Sequence, residues 1–95
     1  MTGFEDKMAQ LRERFLARAE SDRAKLVAAA TLDDRAELRR LAHGLSGSAA
    51  VFGFPDIGLD AQALEEAVDS DADEGELRRL CALLTDRLAR ETQRT

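Results

Sequence analysis

The chain has 95 residues, 44% apolar and 35% charged, enough for one modest core and too rich in apolar side chains for a disordered segment. Its four aromatic residues are all Phe and it has one Pro, so the core must come mainly from Leu, Ala and Val, on helices rather than in a sheet. The net charge of −5 argues against a general binder of the nucleic-acid backbone.

Thr2-Gly3-Phe4-Glu5 has the form of a capping box, with Thr2 as N-cap and Glu5 three residues on. Apolar residues follow at Phe4, Met8, Leu11, Phe15, Ala19 and Leu26, a spacing that predicts one helical face and a place for all of them in the core. Asp22 interrupts this stripe, and Ser21-Asp22 can cap a fresh start. The segment therefore reads either as one bent helix or as two collinear helices split near Ser21. Thr31-Leu32-Asp33-Asp34 is a short connection with a cap. A second helix is expected from about Asp34, with its stripe at Leu38, Leu41, Ala42, Leu45, Ala49 and Phe52 and a stop at Gly53. Pro55 suits the first turn of a third helix, which carries Ile57, Ala61, Leu64, Ala67 and Val68 inward and Leu59 and Ala63 at the flank. The acidic run Asp69 to Glu74 connects to a fourth helix capped by Asp73 or Ser70, with a stripe of Leu77, Leu80, Cys81, Leu84 and Leu88. The tail after Glu91 is expected to fray. Short connections between amphipathic helices predict antiparallel neighbours. The expected fold is all-α, an up-down antiparallel four-helix bundle forming one domain over residues 1–95.

The only histidine, His43, lies in the uncharged run from Leu41 to Pro55. Its neighbours on a helical surface are Arg39, Arg40, Ser46, Gly47, Ala36 and Ala50, none a large apolar residue. The imidazole is therefore expected at the surface or the edge of the bundle. Gly44 and Gly47 are unusual so close by, because each destabilises a helix interior by about 0.8–1 kcal/mol relative to Ala. Two reasons would account for them: an open surface for the backbone of a second protein, or close packing against a neighbouring helix.

His43-Gly44-Leu45-Ser46-Gly47-Ser48-Ala49, preceded by Leu41-Ala42 and followed by Phe52-Gly53 and Leu64-Glu65, resembles the histidine-containing phosphotransfer (HPt) domain of two-component phosphorelays. The resemblance covers nearly the whole chain. It implies that His43 is the phosphoacceptor and that the group travels between receiver-domain aspartates. It also implies that the chain is a phosphocarrier without kinase activity of its own. The partners implied are a response-regulator receiver domain, a hybrid histidine kinase, or both. Arg39, Arg40, Gly44, Ser46, Gly47 and Ala50 would bind the partner or assist the phosphoryl group. No cofactor is implied for this chain, and Mg²⁺ is expected in the receiver, since no carboxylate cluster is expected near His43. One departure stands out: the family's usual Lys three residues after the histidine is Ser46 here. It motivates an alternative, a pseudo-HPt module that binds a receiver or kinase without carrying phosphate. Arg39 or Arg40 would then have to supply the missing charge for phosphate to be carried.

Other features read more plainly. Cys81 lies on an apolar stripe and is expected to be a buried thiol; one Cys and one His form no metal-ligand set. Asp69-x-Asp71-x-Asp73 lacks the Gly and Glu of a calcium loop, whose places hold Glu74 and Leu80. No signal core precedes Arg12 and no run is long enough to span a bilayer, so a cytoplasmic protein with no membrane or nucleic-acid partner is expected. A monomer is expected, with Leu16, Val27 and Leu83 the candidates for any dimer face.

Overall fold

A computed structural model describes residues 3–93. Four helices follow one another: α1 Gly3–Thr31, α2 Arg35–Ala49, α3 Pro55–Asp69 and α4 Glu74–Thr92. Each packs on its chain neighbours, and α1 closes the ring against α4, while the backbones of the diagonal pairs stay further apart. This is the up-down antiparallel bundle, and no strand occurs among the described residues. Every helix sends long side chains into one shared core, including Leu26, Leu38, Leu45, Ile57, Leu64, Leu77, Leu84 and Leu88. Each such side chain, withdrawn from water, stabilises the fold by about 1.5–3 kcal/mol before ordering entropy is counted.

Local chemistry sets the helix ends. Asp34 caps α2 by accepting from the Glu37 N–H at 3.2 Å, and Asp73 caps α4 by accepting from the Glu76 N–H at 2.8 Å. Ser70 instead closes α3, its hydroxyl donating to the Glu66 carbonyl at 2.8 Å. Pro55 opens α3, where its missing N–H would have had no helical partner anyway. The proposed cap at Thr2 lies outside the described residues. The helix α2 ends at Ala49, earlier than its apolar stripe suggests. Phe52 sits in the following turn, half-buried, and Gly53 completes that turn at φ +91°. Phe52 and Phe54 both lie on Phe15 of α1, with ring centroids 5.8 and 5.4 Å away. Arg12 adds a bond from Nε to the Phe52 carbonyl at 3.1 Å. The α2–α3 turn is thereby fastened to α1.

Two expectations about α1 need correction. Of the two readings of this segment the single helix is the one found, unbroken through Asp22. Asp22 does not interrupt the inner face but lies on it, 5% exposed between Ala19 and Leu26, with its carboxylate 3.6 Å from Arg18 Nε. A partnered acid can stay in the stripe, so no fresh start is required. The second correction concerns Phe4, which is 73% exposed, with Met8 and Leu11 only half-buried. At 29 residues, α1 is about 43 Å long, against about 22 Å for α2 and α3. Its first turns project past the other helices, and Phe15 is the first residue they enclose.

Candidate functional site

The α2–α3 seam builds the site. Near its start α3 lies close to the end of α2: a Cβ on Gly58 would stand in ordinary contact with Ala49 Cβ, 3.7 Å away. The antiparallel register then sets His43 opposite Glu65 and Arg39 opposite Asp69. Each pair is spaced evenly about Phe54, His43 and Glu65 eleven residues to either side.

His43 stands on the surface with its side chain 69% exposed. Its Nδ1 lies 2.8 Å from Glu65 Oε2. An ionised carboxylate only accepts, so Nδ1 carries the hydrogen, and the neutral ring keeps its lone pair at Nε2. Glu65 is itself held. Ser46 Oγ lies 3.4 Å from Glu65 Oε1 while donating to the His43 carbonyl at 3.1 Å, and Arg39 Nη2 is 3.4 Å from Oε2. Arg39 also grips Asp69, through Nε at 2.6 Å and Nη2 at 3.3 Å. That bonding holds the Asp69 carboxyl below its ordinary range and raises the Arg39 guanidinium. Arg40 points elsewhere and forms two bonds to Glu37, at 2.7 and 2.8 Å. These bonds, with Coulomb attraction to Glu37 and then to Asp22, raise the Arg40 guanidinium.

The opposite flank of His43 is nearly bare. A Cβ on Gly47 would meet nothing within 4 Å, so of the two readings of that glycine the structure favours open surface over helix packing. A Cβ on Gly44 would stand 3.0 Å from Arg18 Nη2, which reaches across from α1. Ala50, the C-cap of α2, is exposed.

A family model of the Hpt domain matches residues 10–94. This chain belongs to the Hpt domain family. No curated protein and no solved structure gives a match. Hpt domains are phosphotransfer modules of two-component signalling, phosphocarriers rather than enzymes, and they interact with receiver domains and kinases.

Of the residues singled out from sequence, this Hpt domain brings His43, Ser46 and Arg39 into one bonded group, leaves Gly44, Gly47 and Ala50 on the surface beside it, and turns Arg40 toward Glu37. Two carboxylates that helical periodicity along α2 does not reveal stand near His43. Glu65 touches the ring and Asp69 stands behind Arg39, because the α2–α3 register faces them across the seam. In the sequence Glu65 stands out only as part of the Leu64-Glu65 pair; its equal distance from the turn at Phe54 is the signal that places it. Among the described residues, no three His, Cys, Asp or Glu side chains converge so as to hold a metal ion. No helix among them is long and apolar enough to cross a membrane. Cys81 is buried, with its thiol 3.6 Å from the Leu26 carbonyl.

Proposed function

We propose that this Hpt domain relays a phosphoryl group between receiver aspartates, with His43 as the phosphoacceptor. One observation carries the reading: an exposed imidazole whose Nδ1 is engaged by Glu65, which leaves Nε2 open to solvent. In the forward step the Nε2 lone pair attacks the phosphorus of a receiver's aspartyl phosphate. The Nε2–P bond forms as the P–O bond to the aspartyl carbonyl breaks, and the aspartate leaves as a carboxylate. The positive charge that develops on the ring is balanced by the Glu65 carboxylate, to which the Nδ1–H goes on donating. Reversal onto a second aspartate releases the neutral ring. Positioning and charge do most of this work, so a small rigid platform suffices. The receiver supplies Mg²⁺ and the acidic pocket, and Gly47 and Ala50 offer an open surface for its approach, with Gly44 beside them under Arg18.

The test is incubation with phosphorylated receiver domains and Mg²⁺, followed by mass spectrometry kept away from acid, which hydrolyses phosphohistidine. The expected result is one phosphate on His43, lost in His43→Gln while the helical fold is kept. Uptake retained in His43→Gln would defeat the assignment. The rival, a pseudo-Hpt module that binds without carrying phosphate, is motivated by Ser46 in place of the family's Lys. Receiver binding with no phosphate gained, unaffected by His43→Gln, would select it.

A further inference from the structure

We infer that Arg18, on α1, is the cation that meets the phosphoryl group on His43, and that position 44 is glycine so that this guanidinium can lie over α2. The inference rests on His43 being the phosphoacceptor, as proposed above.

A phosphoryl group carries between one and two negative charges near neutral pH. On Nε2 it would join a site whose α3 flank is already acidic, with Glu65 on the ring and Asp69 beyond. Position 46, one turn on, carries a hydroxyl that donates to the His43 carbonyl and brings no charge. The two arginines of α2 are both committed. Arg39 holds Asp69 with two N–H groups and lies against Glu65, and Arg40 holds Glu37 with two. Either would have to break a bidentate pair to serve.

Arg18 is placed differently. Its ion pair, with Asp22 of its own helix, uses Nε at 3.6 Å, and its side chain is 61% exposed. Asp22 is buried and anchors the Nε edge, while Nη2 reaches α2 at Gly44, the residue next to His43. Helical geometry puts Gly44 and Gly47 on the side of His43 that faces α1, about 100° and about 40° round the axis. The strip between imidazole and guanidinium is thus floored by the backbone of two glycines, and no side chain stands over Gly47. A group on Nε2 and the Arg18 fork can meet across this strip, and guanidinium geometry suits phosphoryl oxygens. A methyl group at position 44 would stand 3.0 Å from Nη2 and push it aside.

The experiment uses no receiver, so docking cannot enter. The purified domain is phosphorylated with phosphoramidate, which forms the N–P bond on the ring and releases ammonia. The phosphorus NMR signal is then titrated, in wild type and in Arg18→Gln and Arg18→Lys. A neighbouring guanidinium favours the dianion, so Arg18→Gln is expected to raise the midpoint of the second phosphoryl ionisation by about half a pH unit, a size already reduced for solvent exposure. Arg18→Lys, which keeps the charge, should stay near wild type and controls for the fold. An unchanged midpoint in Arg18→Gln, with His43 labelled, overturns the role of Arg18 and leaves that of His43 standing. Failure of wild type to take the label on His43 overturns both.

Discussion

Glu65 holds His43 from across the α2–α3 seam, its Oε2 2.8 Å from Nδ1, while the imidazole stays largely exposed. The carboxylate touches the ring atom that is not expected to react. It fixes which nitrogen carries the hydrogen and how the ring is turned, as carboxylate partners of metal-binding histidines do. Glu65→Ala should release the ring to both tautomers. Nitrogen NMR would show the Nδ1–H form lost as the single species. The rate of phosphoryl uptake should fall by about tenfold or more, the scale on which such supporting partners act. Glu65→Gln keeps an acceptor oxygen but no charge, and should fall between Ala and wild type. Equal rates in all three would mean that Glu65 is a structural neighbour only.

The bare flank gives a prediction that separates stability from docking. Gly47 is in the last turn of α2, and a Cβ there meets nothing within 4 Å. Gly47→Ala should therefore stabilise the fold by up to about 0.8–1 kcal/mol, the value for a helix interior. For a domain of this size that raises Tm by up to about 4–8 °C. The added methyl stands on the surface where a receiver would approach. Transfer from a phosphorylated receiver should slow, while labelling of His43 by phosphoramidate should not change. A variant that is more stable and transfers at the wild-type rate would leave this glycine without a docking role.

Much of this could be read from the residue order. Period and caps placed four helices, because Asp34, Pro55 and Asp73 each carry a specific chemical signal for a helix start. His43 was placed at the surface because its helical neighbours are small or charged. What could not be read depended on length and register between helices. Phe4 has the right spacing for a core residue, yet α1 outruns its partners, and periodicity says nothing about where a partner ends. Asp22 looked like a break because a buried acid and a helix cap have the same sequence appearance; its burial next to Arg18 decides between them. Glu65 and Arg18 lie 22 and 25 residues from His43 and act through packing, so no local pattern announces them.

Asp22 leads to a third prediction. A buried carboxylate is poorly repaid by an ion pair at 3.6 Å with a mostly exposed arginine and a weaker Coulomb attraction to Arg40. Asp22→Leu would extend the apolar stripe between Ala19 and Leu26, and removing the acid leaves no buried charge behind, because Arg18 can turn to water. Urea unfolding should give a stability equal to wild type or higher by about 1 kcal/mol. The same change frees the Nε edge of Arg18, so any contribution of Arg18 at His43 should weaken even as the fold holds. Destabilisation by more than about 2 kcal/mol would show that Asp22 has a further structural duty.

Cys81 offers a test of the core through pH. Burial pushes its thiol above the ordinary value, since the thiolate cannot be solvated beside Leu26. In the unfolded chain the thiol ionises near about pH 8.5. A raised folded pKa means that the folded state holds the proton longer. Its contribution to stability is complete below the unfolded value and is lost as pH rises toward the folded one, with a slope of at most about 1.4 kcal/mol per pH unit. The chain has no Tyr to titrate in the same range, and comparison with Cys81→Ala cancels the terminal amine. At pH 7 the variant should be less stable by about 1 kcal/mol, through lost packing of the sulfur. Between pH 8 and 10, urea titrations should show wild type losing stability faster than the variant, so that the two curves converge. Parallel curves across that range would mean that the thiol ionises as readily inside the bundle as outside it.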